Sequence, residues 1–337
     1  MDPTTPLLDA LPRLPKAELH LHVEGTLEPE LAFALAQRNG VVLPYPDVAA
    51  LRAAYDFGDL QSFLDLYYAC MPVLRTAEDF HDLTAAYLER SHRDGVAHAE
   101  LFVDLQVHLA NGIPADAVLD GMLAALAEAR RTRGTTGGVI LAVVRDRPVA
   151  TAHEALDAVA HRVHDLVGIG LDSAEVGYPP ALFVEVFERA AALGLHRVAH
   201  AGEEGPPSYV VEAVELLGVE RVDHGIRAVE DPTLLALLVE RGIPLTVCPL
   251  SNVRLRAVPD LASHPIRALL DAGVAVTVNS DDPAYFGGYV GANYAALVQV
   301  GFTAPELARL AAASVRASFA DDARKAELLA QVDAWAV

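Results

Sequence analysis

Lysine is nearly absent: only Lys16 and Lys325 occur among 337 residues, and Lys plus Arg total 25 against 46 Asp plus Glu. The net charge of -21 argues against partners built on phosphate backbones or anionic membranes, which an acidic surface repels. Cysteine is as scarce. Cys70 and Cys248 are the only two, too few for a disulfide framework and consistent with a reducing cytoplasm. No apolar run reaches the ~18 residues that span a bilayer, and Met1–Leu14 lacks a basic-then-apolar secretory pattern. The expectation is a cytoplasmic protein with neither nucleic-acid nor membrane partners. Apolar residues, at 53%, are plentiful enough for a large core and exclude disorder over most of the chain.

Short apolar runs alternate with Ala/Leu/Glu/Arg segments of helical period. Strands are expected at Ala17–Leu21, Val96–Val103, Val139–Val144, Gly168–Leu171, Arg197–Ala199, Arg221–Val222, Pro244–Val247 and Val274–Val278. Helical stretches such as Ala115–Arg131, His153–Leu166, Pro180–Leu193, Tyr209–Leu217, Pro232–Arg241 and Ile266–Ala272 lie between them. Such alternation signals βαβ units and a parallel sheet, and about eight units over this length predict a (β/α)₈ TIM barrel in one domain, 1–337. Leu51–Tyr68 reads as extra helices over the C-terminal mouth of the barrel, where they would wall a small-molecule pocket. The Leu60, Phe63, Leu64 and Tyr67 stripe is read as core packing, and Gly134–Gly138 as a loop. His81, His92, His153, His161, His164, His196 and His264 are assigned mostly to polar helical faces.

The chemistry-bearing residues fall at strand ends. His20 and His22 are alternate residues of the first strand and therefore face one side. His200 closes the fifth strand, His224 the sixth, and Asp281 and Asp282 the eighth. Barrel enzymes place catalysis at the C-terminal ends of their strands, so these residues are expected to converge. One such residue would be structural; the whole set is a site. Three imidazoles and a carboxylate suit Zn²⁺, which acidifies water. The fourth strand ends Gly170-Leu171-Asp172-Ser173 with no lysine to bridge a second metal, so one ion per subunit is expected. A P-C-x-x-C ligand pair is missing, and Cys248 is read as buried. Glu203, three residues after His200, is placed as a general acid. His224 is either a fourth imidazole ligand or a base that orients the attacking water, and the base is preferred.

These motifs resemble the adenosine/adenine deaminases of the amidohydrolase superfamily, from about Pro15 to Tyr294. The resemblance rests on Glu18-Leu19-His20-Leu21-His22-Val23-Glu24-Gly25-Thr26, His200-Ala201-Gly202-Glu203, Arg221-Val222-Asp223-His224-Gly225 and Asn279-Ser280-Asp281-Asp282-Pro283. It implies hydrolytic replacement of a purine 6-amino group by oxygen. It further implies zinc on His20, His22, His200 and Asp281, Glu203 donating to N1, His224 beside the hydrolytic water, and Asp282 at N7. Asp172 to Pro180 and Ala284 to Tyr289 look like the adenine, free-base branch.

In the adenosine branch the position matching Glu175 is a Gly whose backbone meets purine N3, and the position matching Glu24 is an Asp that meets ribose. Glu175 is therefore expected to accept the N–H that free adenine carries and adenosine lacks, a device capable of large discrimination. Leu105, Val103 and Tyr178 depart from the family pattern near the pocket, which keeps adenosine and N6-substituted adenines as alternatives. Other classes weighed are a metal-dependent amide or phosphoester hydrolase and a non-catalytic purine-binding protein. No oligomeric state is assigned.

Overall fold

A computed structural model describes residues 4–335. Eight parallel strands follow one another in chain order around the sheet: β1 (Lys16–Glu18), β2 (Val96–Val103), β3 (Thr136–Val144), β4 (Leu166–Asp172), β5 (His196–Ala201), β6 (Arg221–His224), β7 (Leu245–Val247) and β8 (Val276–Val278). Beyond β8, the chain returns to the residues after β1. Leu21 and Asp281 form a parallel bridge, His22 N–H donates to the Asp281 carbonyl, and Asp281 N–H donates to the His20 carbonyl, both at 3.1 Å. The expected α/β TIM barrel is therefore formed, and its closing seam passes through candidate site residues.

Local chemistry explains the alternation. From Val139 to Val144, β3 is continuously apolar and buried, as a parallel strand covered on both faces requires. Helix Pro232–Arg241 starts where the Asp231 carboxylate accepts from the Thr233 and Leu234 amides, and ends at Gly242 in the left-handed region. The inner barrel is filled by Phe102, Ile140, Ala142 and Val198. At the N-terminal end, the Arg221 guanidinium donates to Glu100 at 2.6 Å and lies 4.3 Å from the centre of the Phe319 ring. Lys16 is wholly buried, its three ammonium hydrogens taken by the carbonyls of Leu11, Leu14 and Asp94 at 2.7–2.8 Å.

Several boundaries differ from expectation. Helix Val149–Val159 tightens into a 3₁₀ segment, Ala160–Asp165, and Leu166 already belongs to β4. Only Gly134 and Thr135 of the glycine-rich stretch form a loop, because Thr136 pairs with His98 to open β3. The single-domain reading includes Met1 and Val337, which lie outside the described residues.

The long β1–β2 connection carries helices Pro29–Asn39, Val48–Ala54, Leu60–Cys70 and Ala77–Arg93. Helix Leu60–Cys70 begins with a reciprocal Asp59–Ser62 capping box, which fixes its direction across the mouth. Leu60, Phe63, Leu64, Tyr67 and Tyr68 from this helix line the central cavity. The expected packing stripe is thus also the cavity roof.

Candidate active site

Four side chains converge beside the barrel seam. The Nε2 atom of His200 lies 3.0 Å from His20 Nε2 and 3.1 Å from His22 Nε2. Asp281 Oδ1 is 3.3 Å from His20 Nε2 and 3.5 Å from His22 Nε2. The far side of each ring is also furnished. His20 Nδ1 lies 3.2 Å from the Thr246 carbonyl, His22 Nδ1 3.5 Å from Asp172, and His200 Nδ1 3.6 Å from Asp223. Acceptors behind Nδ1 direct the Nε2 lone pairs inward, the usual arrangement of ligating histidines. Nitrogen lone pairs about 3 Å apart call for a cation between them, so the donor set fits a borderline divalent metal.

Electrostatics support that fit. Burial pushes the His22 imidazole down to about 4, and burial with neighbouring imidazoles holds His200 well below the ordinary range. Both are neutral ligands at neutral pH. At His20, burial is outweighed by Asp281 and Asp223, which raise its pKa. His20, His200 and Asp281 also lie within metal-sharing distance of His224. However, His224 Nε2 faces Glu203 Oε2 at 3.4 Å and the outer Asp281 oxygen at 3.8 Å. His22 Nε2 instead shares the inner Asp281 oxygen with His20.

The cluster opens into a small cavity roofed by helix Leu60–Cys70. Glu203, His224 and Asp282 reach its wall. The Glu203 carboxyl is pushed well up by burial and by the nearby Asp281 carboxylate. Asp282 is raised for the same two reasons. Its carboxyl packs so tightly on Gly25 that a Cβ there would come within 2.0 Å of it. Asp281 adopts φ 66° and His224 φ 61°, a conformation that ordinarily disfavours side chains and here re-aims strand ends into the cavity. Burial lowers His224 to about 3, and Asn252 Nδ2 lies 3.2 Å from its Nδ1.

Two residues expected at the substrate have protein partners. Glu175 does not sit free at a substrate edge. Its carboxylate accepts the amide hydrogens of Gly202, Glu203 and Gly205 at 2.9–3.0 Å. It therefore anchors the loop carrying Glu203, and a Cβ on Gly205 would collide with it at 2.3 Å. Glu24 Oε1 accepts from His108 Nε2 at 2.7 Å and the Asp104 amide at 3.0 Å, behind the cavity wall. Among the sequence-assigned helical-face histidines, His264 is instead buried against Asn252.

The sequence reading missed Asp104 and Asp172 as cavity residues. Burial raises both, and Oδ1 of each lacks a hydrogen-bond partner. Their signal was positional: each follows the last residue, or is the last residue, of a strand. Asn252, Ser251 and Thr246, the latter two supporting Asp281 and His20, follow from β7, which had no histidine to mark it. Cys70 and Cys248 are free and buried. Among the described residues, no helix is long and apolar enough to cross a membrane.

A buried imidazole–carboxylate cluster at the C-terminal mouth of a parallel barrel defines a metal-dependent amidohydrolase class of site. The adenosine deaminase family model matches residues 15–335, and the chain belongs to that family, as a hydrolase acting on C–N bonds of cyclic amidines. It is 59% identical over 330 residues to the adenine deaminase of Streptomyces coelicolor, covering 97% of both chains. The crystal structure of adenine deaminase from Arthrobacter aurescens superimposes with a TM-score of 0.93 at 56% identity, covering 95% of this chain and 98% of that one. A Burkholderia ambifaria amidohydrolase solved with bound Zn gives a TM-score of 0.90 at 30% identity, with 99% and 95% coverage.

Proposed function

We propose that this chain hydrolyses adenine to hypoxanthine and ammonia in the cytoplasm, as one catalytic domain spanning 1–337 with one zinc ion per subunit. The observation that carries the reading is the meeting of His20, His22, His200 and Asp281 beside the Glu203 carboxyl in one buried cavity. The two curated and solved relatives named adenine deaminase support the free base as substrate.

Zinc held by His20, His22, His200 and Asp281 supplies Lewis acidity that brings the pKa of water toward ~7. Glu203 donates its proton to N1, weakening the ring's aromaticity and exposing C6 to attack. His224 orients the water. Asp282, on the cavity wall, meets N7 and fixes the ring plane. The water oxygen ends on C6; one of its protons leaves with the amino group as ammonia, and the other restores Glu203. The N1 proton stays in hypoxanthine. The roof residues Phe63, Leu64 and Tyr67 give the ring an apolar cover on this side.

The test is metal analysis of the purified protein together with kcat/KM on adenine, adenosine and an N6-substituted adenine. One zinc per chain and a marked preference for adenine are expected. A preference for either other substrate would replace adenine, and zinc without turnover of any aminopurine would leave a binding protein.

A further inference from the structure

Behind Glu203 and His224 runs a buried polar chain whose hydrogen directions can be read from its fixed end. Asn252, in the short segment Pro249–Arg254 after β7, is fully buried. Its Nδ2 lies 2.8 Å from Glu203 Oε1 and 3.2 Å from His224 Nδ1. Its Oδ1 lies 3.1 Å from His264 Nε2, and His264 Nδ1 accepts from the Ile266 backbone N–H at 3.1 Å.

A backbone N–H only donates, so His264 Nδ1 is the acceptor and the ring hydrogen sits on Nε2. That hydrogen requires an acceptor, which makes the neighbouring Asn252 atom the amide oxygen. The amide nitrogen then faces the catalytic pair and gives one N–H to Glu203 and one to His224. Reversing the amide would set its NH₂ against the His264 N–H and its oxygen against a carboxyl oxygen and a ring lone pair. The His264–Asn252 bond would be lost inside a buried site.

We infer that Asn252, oriented by His264, is a positioning residue that decides where two hydrogens sit: on Nε2 of a neutral His224, and on the Oε2 rather than the Oε1 side of Glu203. The inference deepens the purine-deaminase reading and rests on it for its catalytic meaning. With Nδ1 engaged as an acceptor, His224 presents a hydrogen-bond donor to the reacting oxygen, not a base. With Oε1 engaged by the amide, Glu203 offers Oε2, the oxygen 3.4 Å from His224 Nε2, to N1. One side chain thereby sets the polarity of both groups before substrate arrives, which is preorganisation of the kind that lowers barriers.

The test uses zinc-loaded enzyme with ¹⁵N-labelled histidine rings. Wild-type His224 should show an unprotonated Nδ1 and a protonated Nε2 by NMR. Asn252→Asp keeps the shape but replaces donors with acceptors; it should move the His224 proton to Nδ1 and lower kcat on adenine by about 10²-fold or more, with zinc content unchanged. His264→Phe should lower kcat about tenfold at unchanged KM, and His264→Gln, which retains a donor, should restore most of it. A wild-type His224 carrying its hydrogen on Nδ1, or an Asn252→Asp enzyme with an unmoved tautomer, would overturn the inference. Correct tautomers in an enzyme that deaminates no aminopurine would instead sink the proposed function and leave the proton placement standing.

Discussion

Arg221 and Glu100 meet at 2.6 Å inside the barrel, and neither touches solvent. Burial alone would push Glu100 up, but the Arg221 guanidinium and His98 hold it down to about 2, below the ordinary 4.5. A folded-state pKa below the unfolded one means stability that is complete above pH 4.5 and is lost as pH falls toward 2. By linkage the contribution is about 3 kcal/mol. Glu100→Gln strands a buried guanidinium and should cost ~3–5 kcal/mol at pH 7. It should also flatten the acid limb of the Tm profile between pH 4.5 and 2. A variant with the wild-type acid slope would show that other carboxylates govern acid unfolding.

Glu203 and Asp281 are assigned separable tasks, proton donation and ligation. Glu203→Gln should retain metal while kcat falls by roughly 10²–10⁴-fold. Asp281→Ala removes the carboxylate that approaches two ligating imidazoles and should lose metal and rate together. Metal content measured beside single-turnover rates separates them. Metal loss in Glu203→Gln would move that residue into the ligand set.

Glu175 holds three amides of one loop, those of Gly202, Glu203 and Gly205, so its removal should loosen Glu203 rather than retune substrate choice. Glu175→Gly is expected to lower kcat by about 10²-fold through misplacement of the acid, equally for adenine and adenosine. The ratio of kcat/KM for the two substrates is the readout. A collapsed ratio with kcat preserved would return Glu175 to the substrate edge.

The barrel and the convergence of His20, His22, His200 and Asp281 were legible because strand ends announce themselves. H-x-H, His200, His224 and Asp281 each close an apolar run, and a parallel barrel gathers such ends at one mouth. Glu175 was misplaced because its partners are backbone amides, which no side-chain motif records. His264 was taken for a helical-face residue because nothing local in Ser263-His264-Pro265 reveals the Ile266 amide behind it or Asn252 in front. Asn252 itself needed the short segment after β7 to turn inward, a tertiary fact. Asp104 and Asp172 stood at strand ends as plainly as the histidines, but an aspartate there is also a common cap, and only the cavity distinguishes the two uses.

Five carboxyl groups, Asp104, Asp172, Glu203, Asp281 and Asp282, line the cavity, and among its described lining residues none is Lys or Arg. A flat, uncharged ring can settle there and find hydrogen-bonding partners on several edges. A purine bearing a 5′-phosphate would bring a dianion into a chamber with no side-chain cation to receive it. A lining of this kind favours uncharged rings, and a purine 5′-phosphate is expected to bind it poorly beside the free base.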